Sequence, residues 1–286
     1  MPSVTRQTNK PAAASASNNG QATLSAWDLL GKSRSWLFYG DTGSGKTTLW
    51  GSFPSPIRCL ICSGGTLPGE LLSLDSPENR KRIRPVVIES SEQLGEEIKG
   101  EAGTWVLDHL SGLSTLLLKE HLGLSDLPAV LKWGMATQAD YGNVNEKCIE
   151  LLRAFLSLHG EVVIVAQERI FKGKDDRVES DIIKPVVGPA VTPGVCTWLA
   201  PACSYVIQTF KRARMKQQNV EGVAISTREK GVEYCARLEA HDTFITKFRL
   251  HGRVPPDVLV LGDSVNGVDK KQTGFQQLLK VIQGGK

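Results

Sequence analysis

The chain has 286 residues, 41% of them hydrophobic and 22% charged, enough for one large packed domain or a domain with an appendage. No apolar run approaches the ~18 residues of a membrane-spanning helix, and the N-terminus lacks the apolar core of an export signal, so no membrane partner is expected and a cytoplasmic setting is. The net charge of +4 permits a nucleic-acid partner without demanding one.

Residues 1 to about 24 are rich in Ala, Ser, Asn, Thr and Gln without hydrophobic period, and read as a disordered leader. A core is expected over 25–262 and a tail over 263–286. Trp36-Leu37-Phe38-Tyr39 reads as a buried strand that runs into a Gly-rich loop, and Thr47-Thr48-Leu49-Trp50 opens a helix. Strands are expected at Ile57 to Cys62, Val86 to Ile88 and Thr104 to Asp108, and a helix at Leu113 to His121. Asp140 is placed to N-cap a long amphipathic helix ending near Leu158. Glu161 to Ala166 is a fifth strand, followed by a polar and then Gly/Pro-rich stretch over 171–194 that reads as a long loop. Tyr205 to Phe210, Val223 to Thr227, Tyr234 to Leu238 and Thr243 to Phe248 alternate like strands or hairpins, and Phe275 to Ile282 is a short amphipathic segment. The expected fold class is α/β: a mainly parallel central sheet with flanking helices and an antiparallel extension at one edge.

Six cysteines are scattered along the chain. Cys59 and Cys62 have CxxC spacing, but on a strand residues three apart point to opposite faces. With no second pair nearby, free buried thiols are expected rather than zinc. The five histidines form no metal-ligand spacing, and no GxSxG elbow occurs.

Gly40-Asp41-Thr42-Gly43-Ser44-Gly45-Lys46-Thr47 matches GxxxxGK[ST] in full, between a strand and a helix. Glycines let backbone N–H groups point inward around phosphates, and the following helix offers its N-terminal dipole to the anion. Lys46 can then reach the β- and γ-phosphates of ATP, the Thr47 hydroxyl can ligate Mg2+, and Thr48 completes the cradle. A second acid should end another strand, and Asp108 does so, where its carboxylate can hold the Mg2+ shell. His109 follows it, at the position where many AAA+ motors and helicases carry a water-activating Glu. That difference argues against those classes.

The order of these motifs resembles the RecA-like ATPases. Val106-Leu107-Asp108-His109-Leu110-Ser111 resembles their metal-binding strand, and Val162 to Ala166 followed by Gln167-Glu168-Arg169 resembles the strand whose Gln senses the γ-phosphate. Ala202 to Ile207 resembles the strand after a mobile DNA-binding loop, and Lys247-Phe248-Arg249 resembles the basic pair that reaches a neighbouring subunit's nucleotide. The Asp140-Tyr141-Gly142 helix start and the Ala166-Gln167-Glu168 strand end are similar to the phage-type, core-only single-strand-annealing group. The likeness spans roughly residues 34–262. It implies an ATPase that uses ATP and Mg2+, binds single-stranded DNA and promotes annealing or strand pairing. It also implies self-association as a filament or ring, with a single-strand-binding protein as a further partner and the bacterial host cytoplasm as the setting for a phage-encoded chain. Lys46, Gln167, Lys247 and Arg249 would be its catalytic side chains.

One departure concerns the water-activating acid, which RecA proteins carry just after the second strand. Here that region reads Cys62-Ser63-Gly64-Gly65, with Glu89 and Glu70 as the nearby candidates. General-base help is worth ~10²–10⁴-fold, so its loss would slow hydrolysis and leave binding intact. For DNA, Lys172, Lys174, Arg177 and Lys184 follow the γ-phosphate sensor and can pair with phosphates, with Phe171 a candidate for base stacking. Asp175, Asp176, Glu179 and Asp181 offset that charge, so a solvated hairpin is the competing reading. Lys211, Arg212, Arg214 and Lys216 form a purer basic patch that can contact nucleic acid or simply solubilise a hairpin. Trp133, in the loop before Asp140, reads as packed rather than stacking. Rival functions are another ATP motor of helicase or packaging type, a small-molecule phosphotransferase, and a non-catalytic nucleotide-gated scaffold.

Overall fold

The computed structural model describes residues 33–62, 69–124, 136–174, 183–220, 223–263 and 274–284. The expected leader, Trp133 and Arg177 lie outside these residues. Ten strands follow in chain order: β1 (Ser33–Gly40), β2 (Ile57–Ile61), β3 (Ile83–Val87), β4 (Thr104–Asp108), β5 (Gly160–Lys174), β6 (Ile183–Pro189), β7 (Tyr205–Val220), β8 (Val223–Arg237), β9 (Lys247–Phe248) and β10 (Val258–Asp263). The helices are α1 (Lys46–Gly51), α2 (Pro77–Arg82), α3 (Ser91–Glu97), α4 (Leu110–His121), α5 (Gln138–Leu156), α6 (Pro193–Ala202) and α7 (Gly274–Gln283), with a 3-10 turn at Gly69–Leu74.

The strands form one sheet in the order β10-β8-β7-β1-β5-β4-β2-β3, with β6 on β5 and β9 on β7. From β3 to β7 neighbours run parallel, and β8 and β10 continue it antiparallel. This is the expected α/β architecture with an antiparallel edge. β1 shows why it folds so. Its residues alternate between two layers: Leu37 and Tyr39 enter the core beneath α4, α5 and α6, whereas Trp36 and Phe38 enter the core around α1 and α7. All four are fully buried, as suits a central strand with both faces covered. Trp36 stacks on Tyr205 at 4.3 Å, and Phe53 meets Phe275 at the same centroid distance. The indole of Trp36 donates to Glu161 at 2.7 Å, and Arg34 bonds the same carboxylate, so the buried polar ends are satisfied.

Several elements differ from expectation. Helix α5 begins three residues earlier: Thr137 is the N-cap, and Asp140 closes a capping box by accepting from the Thr137 backbone N–H at 2.7 Å. The expected loop over 171–194 instead carries the end of β5, an antiparallel β6 and the start of α6. Phe171 is partly buried against the core with the Arg169 guanidinium 5.7 Å from its ring. β10 was not anticipated, and the Thr243–Phe248 stretch contributes only the two residues of β9 and an isolated bridge from Phe244. Cys59 and Cys62 fall in opposite core layers, all six cysteines are free and buried, and burial first of all pushes the Cys62 thiol up to about 12. No helix among the described residues is long and apolar enough to cross a membrane.

Candidate nucleotide site

β1 ends at Gly40 and the chain turns through the Gly-rich loop into α1. The turn needs its glycines for two separate reasons. Gly43 and Gly45 adopt φ of +73° and +91°, in the left-handed region where side chains are costly. A Cβ on Gly40 would lie 2.1 Å from the Thr209 carbonyl oxygen of β7, so neighbouring backbone excludes any side chain there. The loop is also pinned from the side: the Ser44 and Thr209 hydroxyls bond at 2.8 Å, and Thr209 reaches the Tyr39 carbonyl at 3.3 Å.

Lys46 is 8% exposed and donates to the carbonyls of Gly40 at 2.7 Å and Asp41 at 2.9 Å. These bonds fold its ammonium back across the loop. Burial lowers its pKa, while Asp108, Asp41 and Glu168 act in the opposite direction. Asp108 ends β4 and is 7% exposed, and the Trp50 indole N–H donates to its Oδ2 at 3.1 Å. The Asp108–His109 peptide is cis. His109 caps α4 by accepting from the Gly112 N–H through Nδ1 at 3.1 Å, which requires that nitrogen to be unprotonated.

These groups converge on a cavity of about 790 Å3, within the ~300–1,000 Å3 of small-molecule sites. The polar lining comes from residues Thr42 through Thr48, Asp108, His109 and Gln167, and Leu49, Leu72, Tyr234, Leu261, Gly262 and Gly274 contribute further wall. The polar groups join backbone N–H groups, an ammonium, a hydroxyl and a carboxylate, the set that holds a nucleoside triphosphate. Thr47 and Asp108 offer oxygen donors to the same space, which suits Mg2+, an ion held by one or two protein oxygens, phosphate and water.

The structure therefore brings Thr42 to Thr48, Asp108 and Gln167 together. Gly40 and Asp41 shape the loop without lining the cavity. Gln167 lies beside Gly40 in the β1–β5 register, and its carbonyl is held by the Ala190 N–H at 2.7 Å. Glu89 is not brought in. It is exposed and follows β3, four places from β1 in the sheet, roughly 19 Å away at ~4.8 Å per strand. Of the other acid considered, Glu70, only the backbone is described, in the 3-10 turn that supplies Gly69, Leu72 and Ser73 to the cavity wall.

Lys247 and Arg249 do not reach this chain's own cavity. Lys247 donates to the carbonyls of Ala200 and Pro201 at 2.6 and 2.9 Å, and Arg249 to that of Pro201 at 3.1 Å, at the end of α6. Lys172 and Lys174 lie on the last turn-ward residues of β5, and Lys184 on β6; their side chains, like all of Arg177, fall outside the described residues. Lys211, Arg212 and Arg214 lie on β7, where Arg212 pairs with Glu233 at 2.8 Å. Sequence reasoning missed Trp50 as a partner of Asp108 and Tyr234, Leu261, Gly262 and Gly274 as cavity wall. Trp50 alone had a local signal, lying on the helix that the loop opens. Tyr234, Leu261 and Gly262 arrive by long-range sheet pairing, and Gly274 by packing of α7 against Leu49, which no local pattern encodes.

No curated protein matches the chain. One solved structure similar to it is described as a prototypical ATPase from the type III secretion system of pathogenic bacteria. It is 12% identical with a TM-score of 0.37, over 62% of this chain and 50% of that one. The chain thus spans half the length of that protein, and so distant a likeness bears on neither activity nor partners. Residues 32–250 match the family described as AAA domain. His109 in place of a water-activating Glu therefore does not take the chain out of the AAA class, and the missing Glu is a feature of this chain. With more than half of its length matched and the Gly-rich loop, Asp108 and Gln167 around one cavity, the chain belongs to the AAA domain family of P-loop ATPases.

Proposed function

We propose that the chain binds and hydrolyses MgATP and uses the nucleotide to control binding of single-stranded DNA for annealing or strand pairing. The observation that carries the ATP part is the convergence of Lys46, Thr47, Asp108 and Gln167 on one cavity. Lys46 exchanges its two carbonyl partners for phosphate oxygens, and Thr47 with Asp108 holds the metal, which supplies charge neutralisation at the transferred phosphate. Gln167, which lines the same cavity, would report the terminal phosphate to β5. The DNA part is supported by continuity: β5 runs from Gln167 directly into Lys172 and Lys174, and β7 carries Arg212 and Arg214 on a long hairpin. In a filament or ring, Lys247 and Arg249 would complete a neighbour's site in trans.

A second reading, a nucleotide-gated scaffold with slow turnover, rests on one feature. Asp108 is the one carboxylate among the described side chains that line the cavity, and it is assigned to the metal. ATP turnover measured with and without single-stranded DNA separates these readings. The recombinase reading expects DNA stimulation. Absent stimulation together with no DNA binding at low salt defeats it, and tight ATP binding without turnover favours the scaffold.

A further inference from the structure

The hairpin of β7 and β8 does more than flank the phosphate loop. Lys211 and Tyr234 are directly opposite in its antiparallel register, so their side chains share one face. Both meet the loop. A Cβ on Gly43 would lie 3.6 Å from the Lys211 Nζ, and one on Gly45 would lie 3.3 Å from the Tyr234 ring. The next pair along, Arg212 and Glu233, points to the other face and is joined at 2.8 Å. Lys211 has no carboxylate partner among the described residues, although it is exposed. The strand that carries it is held in place by the Ser44–Thr209 bond two residues earlier and by the close approach of Thr209 to Gly40.

The geometry points to Lys211 as a second phosphate-binding cation, supplied in cis, that ties the β7–β8 hairpin to the bound nucleotide. Resting on the ATP-binding reading above, this assigns Lys211 to the nucleotide rather than to the DNA-contacting patch of which its sequence neighbours are part. The chemistry is that of a charge-assisted bond from an ammonium to phosphate oxygen. MgATP keeps net negative charge after the metal has neutralised part of it, and Lys46 alone leaves some of that charge uncompensated. Tyr234, which lines the cavity, holds the hairpin against Gly45 while Lys211 reaches the phosphates over Gly43. A nucleotide would thus draw on a strand whose continuation bears Arg212 and Arg214.

The test uses the full chain and equilibrium titration with MgATP. Lys211→Gln is expected to weaken MgATP binding about tenfold, Lys211→Arg to restore it to within about threefold, and the surface control Lys99→Gln to leave it unchanged. Amide exchange along β7 near residue 211 should slow on MgATP binding in the wild type and less in Lys211→Gln. Unaltered MgATP affinity in Lys211→Gln, alongside lost affinity in Lys46→Ala, overturns the assignment and leaves the nucleotide site standing. Unaltered affinity in Lys46→Ala overturns both.

Discussion

At the scale of single residues, the buried ammonium of Lys46 carries two predictions. Its bonds to the Gly40 and Asp41 carbonyls keep it satisfied in the empty site, so Lys46→Ala should leave the fold intact while ATP affinity falls roughly 10²-fold, read by equilibrium titration. The second concerns pH. Burial lowers the Lys46 pKa from its ordinary 10.5, so below that value there is a window in which the unfolded chain binds more protons than the folded one. Stability contributed by this group must then rise with pH through the window. Urea melts of the wild type and Lys46→Met at increasing pH up to 10.5 should show the wild type gaining on the variant as pH rises. Parallel curves would show that burial does not perturb the ammonium. Asp108 gives a third. Trp50→Phe removes one donor from a buried carboxylate and should cost ~1–3 kcal/mol. Asp108→Asn keeps an acceptor for that indole and should spare stability while abolishing Mg2+-dependent turnover.

At the scale of elements, glycines on two helices make opposite predictions. A Cβ on Gly112 would lie 1.6 Å from the Cys62 carbonyl oxygen. The first turn of α4 rests directly on the end of β2, and backbone cannot yield as a side chain can. Gly112→Ala should therefore destabilise by at least ~2 kcal/mol and disturb His109, whose Nδ1 accepts the Gly112 N–H. On α5, a Cβ at Gly142 meets nothing within 4 Å, and alanine there should stabilise by ~0.5–1 kcal/mol. Thermal melts of the two variants check both signs. The same contrast explains what was legible beforehand. β1, β2, β4 and the start of β5 are near-continuous apolar runs because helices cover both faces of the sheet, and such runs stand out in any sequence. β6 and α6 hide in a Gly/Pro-rich stretch. Pro185 and Pro189 sit on a strand whose one full ladder is with β5 and whose other side meets only a single bridge, from Val187 to Phe244, and Pro193 occupies the first helical turn, where a missing N–H costs nothing. Composition read as loop, although each proline stands where the backbone tolerates it. The start of α5 differs from expectation for another reason: Asp140 is a cap partner three residues into the helix, not the cap.

At the scale of the whole molecule, the C-terminal helix folds back onto the core and adds Gly274 to the wall of the nucleotide cavity. Phe275 is 5% exposed and lies 4.3 Å from Phe53 and 6.3 Å from Trp36 by ring centroids. Its backbone N–H donates to the Ser52 hydroxyl at the end of α1. Gly274 lies so close to Leu49 that a Cβ would approach its methyl to 2.8 Å, and Leu49, Ser52, Leu261, Gly262 and Gly274 form one wall of the cavity. The phosphate loop and the chain's last helix are therefore joined through the helix that the loop itself opens. Truncating Phe275 to Ala removes a buried ring worth ~3–5 kcal/mol, and the loss falls first on α7, whose remaining core contacts are the buried Leu278 and the partly buried Leu279, Val281 and Ile282. A loosened α7 withdraws the wall from the nucleotide, so Phe275→Ala should weaken MgATP binding as well as lower stability. Ligand stabilisation grows with the ratio of ligand to dissociation constant. Saturating MgATP in the wild type should consequently raise the melting temperature by more than the same concentration does in the variant. An equal rise in both, with the variant merely starting lower, would mean that α7 braces the fold without forming the site.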